Sequence, residues 1–170
     1  MYGYTEVLQT IAAMLIFSLI LLNSNRMIQR NTIMQLEGDL EQQVIAHAQN
    51  LISESRTKDF DEESIAFVPI TIPDDFTAPG ALGPESGESG RTSFDDFDDY
   101  NGWSETLFQG TDQMFTVSTE VYYVDSNFDS TGVRTAFKQI DVQVTSPYLT
   151  VGNGQERVYE FNFVRNYYAD

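Results

Sequence analysis

An acidic segment, residues 93–105 (SFDDFDDYNGWSE), holds the side chains whose types and spacing are best suited to chemistry. Its oxygen-bearing side chains within seven consecutive positions are Asp95, Asp96, Asp98, Asp99 and Asn101. Ca²⁺ takes about six to eight oxygen ligands in a flexible loop. The EF-hand spacing is absent, because its glycine and its distal glutamate are missing at the required offsets. Two interpretations follow: a calcium-binding loop, or a solvated acidic turn whose aromatic side chains pack inward.

Other kinds of catalytic or metal site find little support in the composition. The chain has no cysteine and one histidine, His47, which excludes thiol nucleophiles, cysteine-ligated zinc and multi-histidine metal sites. Nucleophile-elbow, P-loop, dinucleotide-binding and zinc-protease motifs are missing. His47 lies between two alanines in a helical pattern, so we interpret it as a surface or interface residue. We therefore expect a protein that is not an enzyme; a carboxylate-based hydrolase at the acidic segment is the weakest alternative.

The charge distribution limits the partners. The formal net charge is −17, and residues 59–129 hold 17 acidic residues but one basic residue, Arg91. Such a surface repels nucleic acid and anionic membranes, so we expect no nucleic-acid partner. High-salt surroundings, in which ions screen self-repulsion, and an ordinary acidic secreted protein explain this charge equally well.

A long N-terminal helix is predicted to carry these features. Residues 7–22 (VLQTIAAMLIFSLILL) are apolar and uncharged, and no proline interrupts the chain before residue 69. Apolar residues then recur at gaps of three and four, which places them on one helical face: Ile28, Ile33, Met34, Leu36, Leu40, Val44, Ile45, Ala48, Leu51 and Ile52. We expect one helix of about 50 residues, about 75 Å long. Its first part must sit in lipid or protein, and its apolar stripe can lie on a folded domain.

The sequence pattern predicts mainly β-structure for the remainder of the chain. Residues 66–72 (AFVPITI) predict an edge strand that contains Pro69, and residues 73–93 predict a long proline-rich loop. Residues 114–124, 135–145 and 157–165 alternate between apolar and polar, which predicts antiparallel strands covered by the helical stripe of residues 28–52. The predicted fold class is α+β: a long N-terminal α-helix, apolar in its first half, packed on a C-terminal antiparallel β-meander.

Two parts follow from this pattern. Residues 1–25 form an apolar assembly or transmembrane part, and residues 26–170 form a globular domain. The latter comprises an amphipathic helix over 26–57, a strand and acidic loops over 58–113, and antiparallel strands over 114–170.

Glu6 is the one charged residue before Arg26, at the start of the apolar run. A carboxylate there complements the positive end of the helix dipole. If many copies of the helix pack together away from water, the carboxylate needs a cation. An aromatic start, a threonine and Glu6 before the run (YGYTEVLQTIAAMLIFSLILL), with an amphipathic continuation, resemble the type IV pilin superfamily, including the pseudopilins of type II secretion systems.

The resemblance implies a structural function. In that superfamily the glutamate pairs with the N-terminal amine of a neighbouring subunit, and the spacing here fits a mature chain that starts at Met1 or Tyr2. The residues expected to carry assembly are Glu6, Met1, Val7, Ile11, Leu15, Leu19 and Leu22. We expect a homo-oligomeric helical filament outside the cell, whose subunit is anchored in the inner membrane before assembly. The alternative is a membrane-anchored periplasmic binding module or a minor pseudopilin of a secretion apparatus.

Overall fold

The computed structural model describes residues 3–65 and 71–169. Two α-helices precede four β-strands: α1 (Tyr4–Ser55), α2 (Glu62–Ile65), β1 (Ser104–Gln109), β2 (Asp112–Tyr123), β3 (Phe137–Thr145) and β4 (Tyr159–Asn166). Short 3₁₀ helices lie at Asp98–Tyr100 and Tyr167–Ala169. The predicted α+β class, a long N-terminal helix with an antiparallel meander, is confirmed.

Helix α1 runs without interruption for 52 residues, about 78 Å at the usual rise per residue. The stretch at residues 23–25, whose residues favour helix least, is helical as well. Hydroxyl groups in the helix donate to the preceding turn: Thr10 Oγ1 to the Glu6 carbonyl at 2.6 Å, and Ser18 Oγ to the Met14 carbonyl at 2.8 Å. These two hydroxyl groups therefore need no solvent.

The chain forms two compact units, residues 1–41 and 42–170. The sequence-based division after residue 25 follows hydropathy, whereas the structural division falls later, within α1. The last part of α1 belongs to the second unit.

Burial along α1 begins later than the apolar stripe does. Leu40, Val44, Ala48 and Leu51 are buried, at gaps of four, four and three residues. The N-terminal part of the stripe that was expected to cover the sheet is exposed, with 56–68 % of each side chain accessible: Ile28, Ile33, Met34 and Leu36. The buried face of α1 therefore starts at Leu40 rather than at Ile28.

The four strands form one antiparallel sheet in the order β1-β2-β3-β4. Along β2 the buried residues alternate as predicted: Phe115, Val117, Thr119, Val121 and Tyr123. The register aligns Val121 with Ile140 and Ile140 with Phe163, so this inner face continues across three strands. In the second unit, α1 contacts this face through His47, whose ring centroid lies 5.1 Å from that of Phe115.

One end of the inner face is charged. Tyr123 pairs with Lys138, and Lys138 pairs with Arg165, so two basic side chains occupy inner positions on neighbouring strands. Both are buried. On β3 the buried positions thus start at Lys138, and the preceding residue, Phe137, is only half-buried.

The first strand was not predicted. Strand β1 pairs with β2 through a tight connection in which Gly110 adopts φ +66°, a left-handed conformation that glycine tolerates well. The predicted edge strand at residues 66–72 falls mostly outside the described residues, and Thr71 and Ile72 lie in no strand.

Candidate functional site

The first candidate site is the N-terminal segment of α1. Its predicted assembly residues are exposed by 49–63 %: Val7, Ile11, Leu15, Leu19 and Leu22. An 18-residue window of α1 is long and apolar enough to cross a membrane, by length and composition, and none of that window is buried inside the structure. Apolar side chains all around the helix thus remain available to lipid or to other helices.

Glu6 lies in the first turn of α1, where its backbone N–H donates to the Gly3 carbonyl at 2.9 Å. Its side chain is exposed. The carboxylate therefore stands at the positive end of the helix dipole and can reach a cation outside the chain. Met1, the predicted source of the partner amine in a second copy, lies outside the described residues.

The second candidate site is the acidic segment, in which Asp96 and Asp99 organise the backbone. Asp96 Oδ1 accepts hydrogen bonds from the N–H groups of Asp98 and Asp99, at 2.8 and 3.2 Å. Asp99 Oδ2 accepts from the N–H groups of Asp95 and Asp96, at 2.8 and 3.0 Å. These reciprocal bonds fold the segment into a tight turn. Its aromatic residues Phe94, Phe97 and Tyr100 are buried, as expected for a turn whose aromatic side chains pack inward. The expectation that the turn is solvated is wrong for Asp96, Asp98 and Asp99, because these side chains are buried as well.

Asp98 belongs to a buried ion-pair network. It pairs with Lys138, whose Nζ also lies 2.6 Å from Asp61 Oδ2 and donates to the Phe60 carbonyl at 2.8 Å. All three charged side chains are essentially inaccessible to solvent. Oδ1 of Asp98 is therefore occupied by the ion pair with Lys138, and the other oxygen of Asp98, Oδ2, is buried without a hydrogen-bond donor.

Asn101 acts as a structural bridge. Its side chain donates to the Leu82 carbonyl at 2.9 Å and accepts from the Val121 N–H at 3.0 Å. It thereby ties the proline-rich loop (residues 73–93) to strand β2. Asp95 is the one predicted aspartate ligand that is exposed.

Burial has a large effect on the protonation of these acids. It raises the pKa of Asp96 to about 8, and the neighbouring charge of Asp98 adds to the rise. Burial also raises the pKa of Asp98, while Lys138 opposes that rise. Because Asp96, Asp98 and Asp99 are inaccessible, a substrate cannot reach them directly, and this placement does not favour the hydrolase alternative.

Asp99 meets two acids that the sequence did not single out. One carboxylate oxygen from each of Glu85, Glu88 and Asp99 lies within 4.8 Å of the other two. Burial raises the pKa of Glu85 to about 7, with further contributions from Glu88 and Asp99. The one signal in the sequence was a Glu-x-x-Glu spacing in the proline-rich loop, which places two carboxylates on one side of a turn.

An open cleft of about 700 Å³ lies beside this region. Arg91 forms an ion pair with Glu54, and its guanidinium carbon lies 5.7 Å from the centroid of the Trp103 ring. The hydroxyl of the buried Tyr100 donates to Glu54 Oε1 at 2.9 Å. The cleft thus presents a guanidinium, an indole and carboxylates, a combination suited to polar or charged segments of another molecule.

His47 lies on the face of α1 that contacts the sheet. Burial lowers its pKa, and the positive charge of Arg91 adds to the effect, whereas Glu105 opposes it. The structure places it as a half-buried packing residue against Phe115.

No family model, curated protein or solved structure matches this chain.

Proposed function

We propose that this protein is the structural, non-catalytic subunit of a pilus-like filament, which polymerises through the N-terminal part of α1. The observation that carries the proposal is the length of exposed apolar helix. Large apolar side chains are exposed from Val7 to Leu36, a span of about 45 Å along the axis. The hydrocarbon core of a bilayer is about 30 Å thick, so a single span leaves part of this surface without lipid.

The part beyond the span has the pattern of a protein interface. Ile33 and Leu36 continue the gaps of three and four that lead to the buried residues Leu40 and Val44. Arg26 and Arg30 separate this stripe from the apolar run, and charged side chains are costly at the centre of a bilayer. In a bundle, other copies of the same helix would cover both the apolar run of residues 7–22 and the exposed residues Ile33 and Leu36.

Glu6 has a defined role in this proposal. In the membrane, the segment holds the subunit before assembly. When lipid is exchanged for neighbouring helices, the carboxylate loses solvent and requires a cation. The terminal amine of an adjacent copy would supply it and fix the axial offset between subunits, and the acidic β-domain would form the outer surface outside the cell.

Cryo-electron microscopy of material sheared from the surface of cells that express the full chain tests this proposal. We expect filaments with a helical core for the unchanged chain and none for Glu6→Ala. The matched control is Glu120→Ala, which removes an exposed carboxylate from strand β2 and should leave filaments intact. Monodisperse protein in all three cases would refute the filament.

The cleft near Arg91 favours a second candidate, a membrane-anchored binding module or minor subunit of a secretion apparatus. In that case α1 would act as an anchor, and the guanidinium and indole would contact a partner protein. Negative-stain microscopy of the purified full chain distinguishes the two, since only the filament proposal predicts long uniform fibres from this chain alone.

A further inference from the structure

Three carboxylates from two separate segments meet at one point of the second unit. Glu85 and Glu88 belong to a turn of the proline-rich loop, in which the Glu88 N–H donates to the Glu85 carbonyl at 3.1 Å. Asp99 comes from the 3₁₀ helix Asp98–Tyr100. With their oxygens within 4.8 Å of one another, the three groups bring up to three negative charges into a small volume.

Asp99 supplies a second, independent observation. Its side chain is completely buried, and Oδ2 is used by the N–H groups of Asp95 and Asp96. Its Oδ1 is also buried and accepts no hydrogen bond. A buried carboxylate oxygen without a donor is costly, and the neighbouring carboxylates of Glu85 and Glu88 can only accept when they are ionised.

Protein cations do not neutralise this cluster. Within residues 3–65 and 71–169, no lysine, arginine or histidine forms an ion pair with Glu85, Glu88 or Asp99. The nearest basic residue in the sequence, Arg91, is paired with Glu54, and Lys138 is paired with Asp61 and Asp98. A cation from outside the chain would neutralise the cluster while its carboxylates stay ionised.

We propose that Glu85, Glu88 and Asp99 bind one calcium ion. All the ligand atoms are oxygens, which Ca²⁺ prefers. Two oxygens on opposite sides of Ca²⁺ lie about 4.6–5.2 Å apart, so groups within 4.8 Å of one another can reach one ion. Glu85 is exposed and Glu88 half-buried, which leaves room for water molecules as further ligands.

The ion would join the proline-rich loop to the acidic turn. The side chain of Asn101 already holds the loop at Leu82, and Phe76 anchors its beginning in the core. A calcium ion at Glu85 and Glu88 adds a third attachment, in the part of the loop that leads to Arg91 and the cleft. Calcium would therefore order one wall of the cleft.

Isothermal titration calorimetry of the full chain in detergent micelles, freed of divalent ions and held at about 0.15 M salt, tests the site. The probe is CaCl₂, with MgCl₂ for comparison. The test variant is Glu85→Gln with Glu88→Gln, because these side chains are accessible, whereas Asp99 holds backbone N–H groups and its loss can unfold the turn. The matched control, Glu120→Gln with Glu156→Gln, removes two exposed charges elsewhere in the domain.

We expect one calcium ion per chain in the unchanged protein and in the control, and an affinity at least about tenfold lower in the test variant. Three results would each overturn the proposal: no calcium binding below about 1 mM in the unchanged protein, equal losses in both double variants, or Mg²⁺ binding as tight as that of Ca²⁺. Circular dichroism verifies that both variants are folded. The measurement does not involve filaments, so its outcome is independent of the proposed assembly.

Discussion

Lys138 Nζ lies 2.6 Å from Asp61 Oδ2, and both side chains are completely buried. Asp98 completes a triad of two carboxylates and one ammonium. The triad connects the chain just after α1, the acidic turn and strand β3. It places the acidic turn against the inner face of the sheet, and thus also positions Asp99.

Replacing Lys138 by Met should destabilise the domain strongly. The change leaves Asp61 and Asp98 buried without a cation, for which a loss of about 3–5 kcal/mol is expected. Urea unfolding of the full chain, followed by the fluorescence of the single tryptophan Trp103, measures the loss. The control is Lys58→Met, at the chain's other lysine: Lys58 is half-buried and donates to the Phe94 carbonyl. A larger loss for Lys58→Met than for Lys138→Met would contradict this account of the triad.

Replacing Tyr100 by Phe should destabilise the link between the acidic turn and α1. The hydroxyl of this buried tyrosine donates to the Glu54 carboxylate, and a hydrogen bond to a charged group contributes about 1.5–3 kcal/mol. In the control, Tyr122→Phe removes a hydroxyl that donates to Asp141 at 2.8 Å on a more accessible residue. Water can replace the Tyr122 bond, so the same unfolding measurement should give a smaller loss. Equal losses would mean that burial does not strengthen the Tyr100 bond.

Polar substitutions at Ile33 and Leu36 should impair assembly without releasing the chain from membranes. Both side chains are more than half exposed, so Ile33→Ser with Leu36→Ser should leave the stability of the monomer nearly unchanged. If other copies cover this stripe, filaments should become rare while membrane fractionation stays the same. Asn31→Ser with Gln35→Ser, at two exposed positions on the opposite face of α1, serves as the control. Normal filaments from the Ile33 and Leu36 variant would show that the stripe is not an interface.

His47 should make the domain less stable as the solution becomes acidic. Its pKa in the folded state is lowered by burial, so the unfolded chain binds the proton more tightly and stability falls as pH drops below about 6.5. The fall ends once the pH lies below the folded-state pKa. Arg91 strengthens this effect and Glu105 weakens it.

The contribution of His47 is the difference between the unchanged chain and His47→Gln, measured by urea unfolding between pH 7.5 and pH 5. Acids whose pKa is raised in the fold, such as Asp96, make the folded state more stable as pH falls. They do so equally in the unchanged chain and in His47→Gln, so their effect cancels in the difference. The unchanged chain should therefore lose stability relative to His47→Gln as pH falls. The opposite slope would show that protonated His47 is favoured in the fold.

Local pattern predicted most of the fold. Helix α1 was recognisable because apolar spacing and the absence of proline act within the helix itself. Strands β2, β3 and β4 were recognisable because one side of each faces a core. Strand β1 was missed because its residues do not alternate: Leu107 is half-buried and the other five are exposed. Strand β1 forms because it pairs with β2, and the sequence of a six-residue segment does not show which strand it will pair with.

The candidate site was predicted only in part, because its contacts are distant in sequence. Asp99 was identified from the density of aspartates around it. Asp98 was expected to bind metal, but its partner Lys138 lies 40 positions away. Lys138 itself interrupts an apolar pattern, so its burial was not predictable from spacing. Glu85 and Glu88 were assigned to a loop, and no local rule places that loop beside the acidic turn.

The contacts of Arg165 imply an order of events during synthesis. Its buried guanidinium donates to the Lys58 carbonyl at 2.6 Å and to the Asp59 carbonyl at 3.0 Å, just beyond the end of α1. More than a hundred residues separate these partners. A ribosome has therefore released the apolar run long before β4 emerges to close the domain. If the apolar run enters a membrane, as proposed above, its insertion precedes the folding of the β-domain in time.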